Sequence, residues 1–131
     1  MTRFNPKAIA IALLLSLALD VIGFVLLSHA QLADGLSAEQ TDAALRALLQ
    51  DTNFLLINLL YGTFTTVIGG YLAARIAGRY PYFNALAVGG AGIVLGLLLG
   101  SDAPAWFDAI AYATTLPAAV LGGHLGRRRN Q

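Results

Sequence analysis

Four apolar runs, each about as long as a bilayer is thick, constrain this chain more than any other feature. They cover residues 8–28, 54–74, 82–100 and 105–125. A helix needs about 20 apolar residues to cross a hydrocarbon core of about 30 Å, and each run meets that length. None alternates as a lipid-facing barrel strand must, so helices are the expected spanning element. Charged residues make up 11% of the chain against 57% hydrophobic, where a soluble domain carries about 25% charged. The expectation is all-α: a polytopic four-helix bundle forming a single transmembrane domain over residues 1–131, too short for two separate cores.

Charge orients the bundle. Arg3 and Lys7 precede the first run, Arg75 and Arg79 separate the second from the third, and Arg127, Arg128 and Arg129 follow the fourth. The opposite loops hold Asp34, Glu39, Asp42, Asp51 and Asp102, with Arg46 as their only cation. The positive-inside rule therefore puts both termini in the cytoplasm. Residues 28–30, Ser-His-Ala, resemble a secretory cleavage site, but the apolar stretch before them is longer than a signal peptide's and contains an acid, so it is expected to stay attached. The inner arginines 75, 79 and 127–129 are placed to meet anionic headgroups.

The long outer loop, 29–53, has a pattern of its own. Ser37 and Gln40 have capping-box spacing, and Thr41, Ala44, Leu45, Leu48 and Leu49 fall on one face of the helix that would follow. A short amphipathic helix on the outer surface is expected.

Small residues recur at spacings of three and four in each span. Gly62 and Gly69, then Gly89, Gly92, Gly96 and Gly100, then Gly122 mark the faces expected to pack in the manner of a glycine zipper. Val67-Ile68-Gly69-Gly70-Tyr71-Leu72 and Val120-Leu121-Gly122-Gly123-His124-Leu125 form a faint internal repeat.

Asp20 is the one acid well inside a span. Lys7 lies about 20 Å before it and His29 about 13 Å after it at helical rise, which sets the carboxyl in the outer half of the bilayer. An unpaired charge there costs about 2.5–3.5 kcal/mol, so Asp20 should face the bundle interior. Asn58, Tyr61, Tyr112 and Thr115 reach a similar depth and complete a candidate polar or proton site.

Other chemistry is sparse. The absence of Cys removes disulfides, thiolate catalysis and thiolate metal sites. No nucleophile–base pair, phosphate loop or HExxH pattern occurs, so no catalytic residue, cofactor or metal is expected. A net charge of +1 gives no footprint for nucleic acid.

The stretch Gly69-Gly70-Tyr71-Leu72-Ala73-Ala74-Arg75-Ile76-Ala77-Gly78-Arg79 resembles a signature of small bacterial four-span inner-membrane proteins. The resemblance implies the bacterial cytoplasmic membrane and no particular activity. The resulting expectation is a non-enzymatic accessory or assembly subunit that packs with other membrane proteins or with itself. The alternative is a small proton- or cation-coupled transporter or channel using Asp20.

Overall fold

The structure, a computed structural model, describes residues 3–127. Five helices and no strand occur among them: α1 (Pro6–Gln31), α2 (Ala38–Leu48), α3 (Thr52–Ala77), α4 (Pro81–Leu99) and α5 (Ala105–Gly126). Local sequence sets their ends. Asn5 caps α1 by accepting from the Ala8 amide, with Pro6 in the first turn, where its missing N–H costs nothing. Asp51 caps α3 through the Asn53 and Phe54 amides. Gly78 and Gly100 close α3 and α4 at φ +71° and +75°, a conformation in which a Cβ would be strained.

The amphipathic helix forms where its pattern puts it. Ser37 and Gln40 make the reciprocal capping box. Thr41, Ala44, Leu45, Leu48 and Leu49 are half-buried, while Glu39, Asp42, Arg46 and Gln50 are exposed.

Three helices, α1, α3 and α4, are long and apolar enough to cross a membrane. Sequence alone counts four such spans. At 22 residues, α5 has the length, but Asp108, Thr114, Thr115, Pro117 and His124 leave it less apolar than the other three.

Packing is inverted relative to a soluble protein. The buried residues are mainly small: Ala8, Ala12, Ala73, Ala74, Ala85, Ala118 and Ala119, with Ser16 and Thr65. Large side chains point outward, Leu60 at 75% exposure, Leu98 at 77% and Leu99 at 83%. Water would penalise such a surface by about 25 cal/mol per Å² of apolar area, whereas lipid tails would not.

α3 is the hub, touching α1, α4 and α5, and its closest partner is α5. Against α1 it runs antiparallel, Tyr61 meeting Gly23 and Gly69 meeting Ser16. Against α5 it runs parallel, and there the two backbones touch. A Cβ on Gly70 would stand 2.3 Å from the Ala119 carbonyl oxygen, one on Gly122 2.0 Å from that of Val67, and one on Gly126 2.5 Å from that of Tyr71. The two halves of the faint repeat thus meet each other at this crossing.

Not every glycine expected to pack does so. Gly69, Gly89, Gly96 and Gly122 each meet a neighbouring helix. Gly62 and Gly92 have nothing within 4 Å of a Cβ position, and Gly100 likewise meets nothing because it has left the helix to cap it. Regular spacing places these residues on a face, but only the neighbours decide whether that face is covered.

At the end of the bundle nearest the termini, Asn84 is almost wholly buried. Its Oδ1 accepts from the Asn5 amide at 2.7 Å, and its Nδ2 donates to the carbonyls of Arg3, Arg79 and Tyr80. One side chain thereby ties the chain start and the α3–α4 turn to α4. Tyr80 in that turn has φ +48°.

Candidate functional site

Toward the α2 end, α1, α3 and α5 part around a half-open cavity of about 360 Å³. Asp20 and Phe24 line it from α1, Asn58, Tyr61, Gly62, Thr63 and Thr66 from α3, and Phe107, Ala111, Thr114 and Thr115 from α5. Leu55 and Leu59 of α3, Leu49 just beyond α2, and Ser101 and Ala103 of the α4–α5 loop complete the wall.

Asp20, Asn58, Tyr61 and Thr115 therefore share one cavity. Tyr112 does not join them: its hydroxyl lies 2.9 Å from where a Gly96 Cβ would stand, so the ring fills the space that glycine leaves on α4. Tyr112 and Thr115 are three positions apart, and the helix points the longer side chain toward α4.

The Asp20 carboxylate is anchored on one side. The Thr65 hydroxyl meets its Oδ1 and also reaches the Gly62 carbonyl, so its single proton is shared between the two acceptors. Among the described residues no protein donor reaches Oδ2 and no cation pairs with the group; the ion pair that does form, Arg46 with Asp42 at 3.2 Å, is exposed on α2. The Tyr61 hydroxyl donates to the Leu19 carbonyl at 2.8 Å, tying α3 to α1 beside the acid.

The threonines are committed to their own helices. Thr63 donates to the Leu59 carbonyl, Thr66 to that of Gly62, and Thr114 and Thr115 both to that of Ala111. Thr114 and Thr115 thus bond one turn back and do not reach Ala113, the carbonyl that Pro117 leaves without its helical donor.

The basic residues gather at the other end of the bundle. Arg79 and Arg127 line a surface hollow with Tyr80, Pro81, Tyr82 and Phe83, and Arg79 lies over the Tyr80 ring. Arg75 is exposed in the last turn of α3. Arg128 and Arg129 lie outside the described residues. His124 bonds the Tyr82 hydroxyl at 2.8 Å through Nδ1, and His29 lies at the far end of α1. No group of three or more His, Cys, Asp or Glu able to hold a metal occurs among the described residues.

Two features escape the sequence. Asn84 is a lone amide in an apolar run, and its one signal is its position just after Pro81, at a helix start. The packing roles of Gly70 and Gly123 were hidden because each adjoins a glycine already placed on the stripe. Comparison with known proteins yields no relative: no family model matches the chain, and neither does any curated protein or solved structure.

Proposed function

We propose that this chain is a non-enzymatic, four-span protein of the bacterial cytoplasmic membrane, with both termini inside, and that it is a small proton- or cation-coupled transporter or channel using Asp20. In this reading α5 is the fourth span, α2 lies on the outer surface, and the cavity occupies the outer half of the bilayer. The bilayer is its solvent, and it needs no cofactor, metal or nucleic acid. One observation carries the reading: a carboxylate that has, among the described residues, a free oxygen and no counter-ion faces a cavity large enough for a ligand. Burying a charge in this way is costly unless something positive arrives to share it.

The test is ion flux in proteoliposomes. With a potassium-diffusion potential imposed and a pH- or sodium-sensitive dye inside, wild-type protein should pass protons or sodium faster than empty vesicles. Asp20→Asn should abolish the excess while eluting as the same species in detergent. Wild-type flux no greater than that of empty vesicles overturns the coupling reading.

A second reading, the accessory or assembly subunit, is favoured by a different face. A Cβ on Gly92 of α4 would meet nothing within 4 Å, and Leu99, two turns farther along the same face, is exposed. That surface suits another membrane protein or a second copy. Gentle-detergent purification followed by native mass spectrometry tests it: a stable hetero-complex or dimer lost in Gly92→Leu supports it, and a monomer under all conditions removes it.

A further inference from the structure

The hydroxyl groups around Asp20 share a property that narrows the ligand. A hydroxyl has one proton to give and two lone pairs to offer. Thr63, Thr66, Thr114, Thr115 and Tyr61 each spend that proton on a backbone carbonyl. What remains to face the cavity is lone pairs. Asp20 Oδ2 adds a further acceptor, negative when the carboxyl is ionised. Two spare donors interrupt the pattern, the second amide proton of Asn58 and the hydroxyl of Ser101, whose oxygen accepts from the Ala103 amide.

The lining also changes with depth. Phe107, Leu55, Leu49 and Phe24 lie toward α2. Thr115 is eight residues farther along α5 than Phe107, about 12 Å at helical rise, and Asp20 is level with Thr65 of α3. The cavity thus has an aromatic and aliphatic mouth and a floor of hydrogen-bond acceptors around a carboxylate. Sites for small organic ligands are built in this way, a mostly apolar wall with a few polar groups that fix orientation.

We infer that this cavity binds a protonated primary amine with a small aromatic or aliphatic body, its ammonium N–H groups on the Asp20 floor and its body between Phe24 and Phe107. The inference rests on the cation-coupling reading above and gives its ligand a chemical class. An ammonium group brings three donors to a lining in which acceptors outnumber the two spare donors of Asn58 and Ser101. A quaternary ammonium carries the same charge with no N–H, so it neutralises Asp20 but leaves the threonine and tyrosine lone pairs unpaired, which a site built to hydrogen-bond its ligand rejects.

The experiment uses the whole chain in lipid nanodiscs and two probes, 2-phenylethylammonium and its N,N,N-trimethyl analogue, with binding measured by calorimetry. The primary amine should bind at least about tenfold more tightly than the trimethyl analogue. Asp20→Asn should abolish binding of both. Because Asp20→Asn removes a charge that also bonds Thr65, Thr115→Val serves as the second variant: it keeps shape and removes one acceptor, and should weaken the primary amine roughly three- to tenfold while leaving the trimethyl analogue unchanged. Equal affinity for both probes, abolished by Asp20→Asn, overturns the donor-selective inference and leaves the cation reading intact. Binding of neither probe, with proton or sodium flux still dependent on Asp20, likewise overturns the inference alone. Binding of neither probe and no flux overturns both.

Discussion

Adding one methyl group to Gly122 should loosen the bundle, and adding one to Gly90 should not. A Cβ on Gly122 would stand 2.0 Å from the Val67 carbonyl oxygen and 2.8 Å from the Tyr71 amide nitrogen, both backbone atoms with no side-chain rotation to absorb the clash. Ordinary contact begins at 3.4 Å, so α3 and α5 must separate by more than an ångström. Their other close approaches, Gly70 to Ala119 and Gly126 to Tyr71, open with them. A gap of 0.5–1 Å forfeits about a quarter to a half of each dispersion well it affects. Overpacking of this kind costs about 1–3 kcal/mol, against which Ala in a helix regains about 0.5–1 kcal/mol over Gly. The net expectation for Gly122→Ala is a loss of about 1–2 kcal/mol. Gly90 has nothing within 4 Å, so Gly90→Ala keeps only the helical gain and should be neutral or slightly stabilising. Reversible unfolding in mixed micelles, followed by far-ultraviolet circular dichroism, measures both. If Gly122→Ala matches wild type, or if the two variants lose stability equally, the contact between backbones is not what holds α3 to α5.

Asn84→Ala should cost about 2–4 kcal/mol in the same assay, because it strips partners from the Asn5 amide and from the Arg3 and Arg79 carbonyls at once. Ser37→Ala should destabilise α2 by about 1 kcal/mol through loss of its cap, seen as faster amide exchange at Gln40 and Thr41 with the rest of the bundle unchanged. The chain has no Cys, so single introduced cysteines report topology directly. In intact cells an impermeant maleimide should label Asp34→Cys and Asp102→Cys but not Arg79→Cys, and labelling of Arg79→Cys would reverse the proposed orientation.

Helix positions were legible because length and apolarity act locally. Asn5, Ser37 and Asp51 stop or start helices using groups within three residues of themselves, and Gly78 and Gly100 end them by adopting a positive φ. Depth was legible too, since residue number converts to height at a fixed rise, which is why Asp20, Asn58, Tyr61 and Thr115 reach one cavity. Azimuth was not. Tyr112 shares that depth yet turns to Gly96, and Gly92 shares a stripe with Gly89 yet meets nothing. Periodicity defines a face without saying what stands opposite. The same gap hid Asn84, whose partners Arg3 and Asn5 lie 81 and 79 residues away.

The parallel seam between α3 and α5 also dictates an order of assembly. Two helices that run the same way need a third between them in sequence, so the tightest joint in the molecule cannot close until α4 has been threaded back and α5 has followed. A ribosome making this chain releases α3 with its glycine side bare, and α5 arrives last to cover it and to supply the Phe107 and Thr115 wall beside Asp20. A nascent chain stopped after α4 would have a carboxylate but no chamber around it.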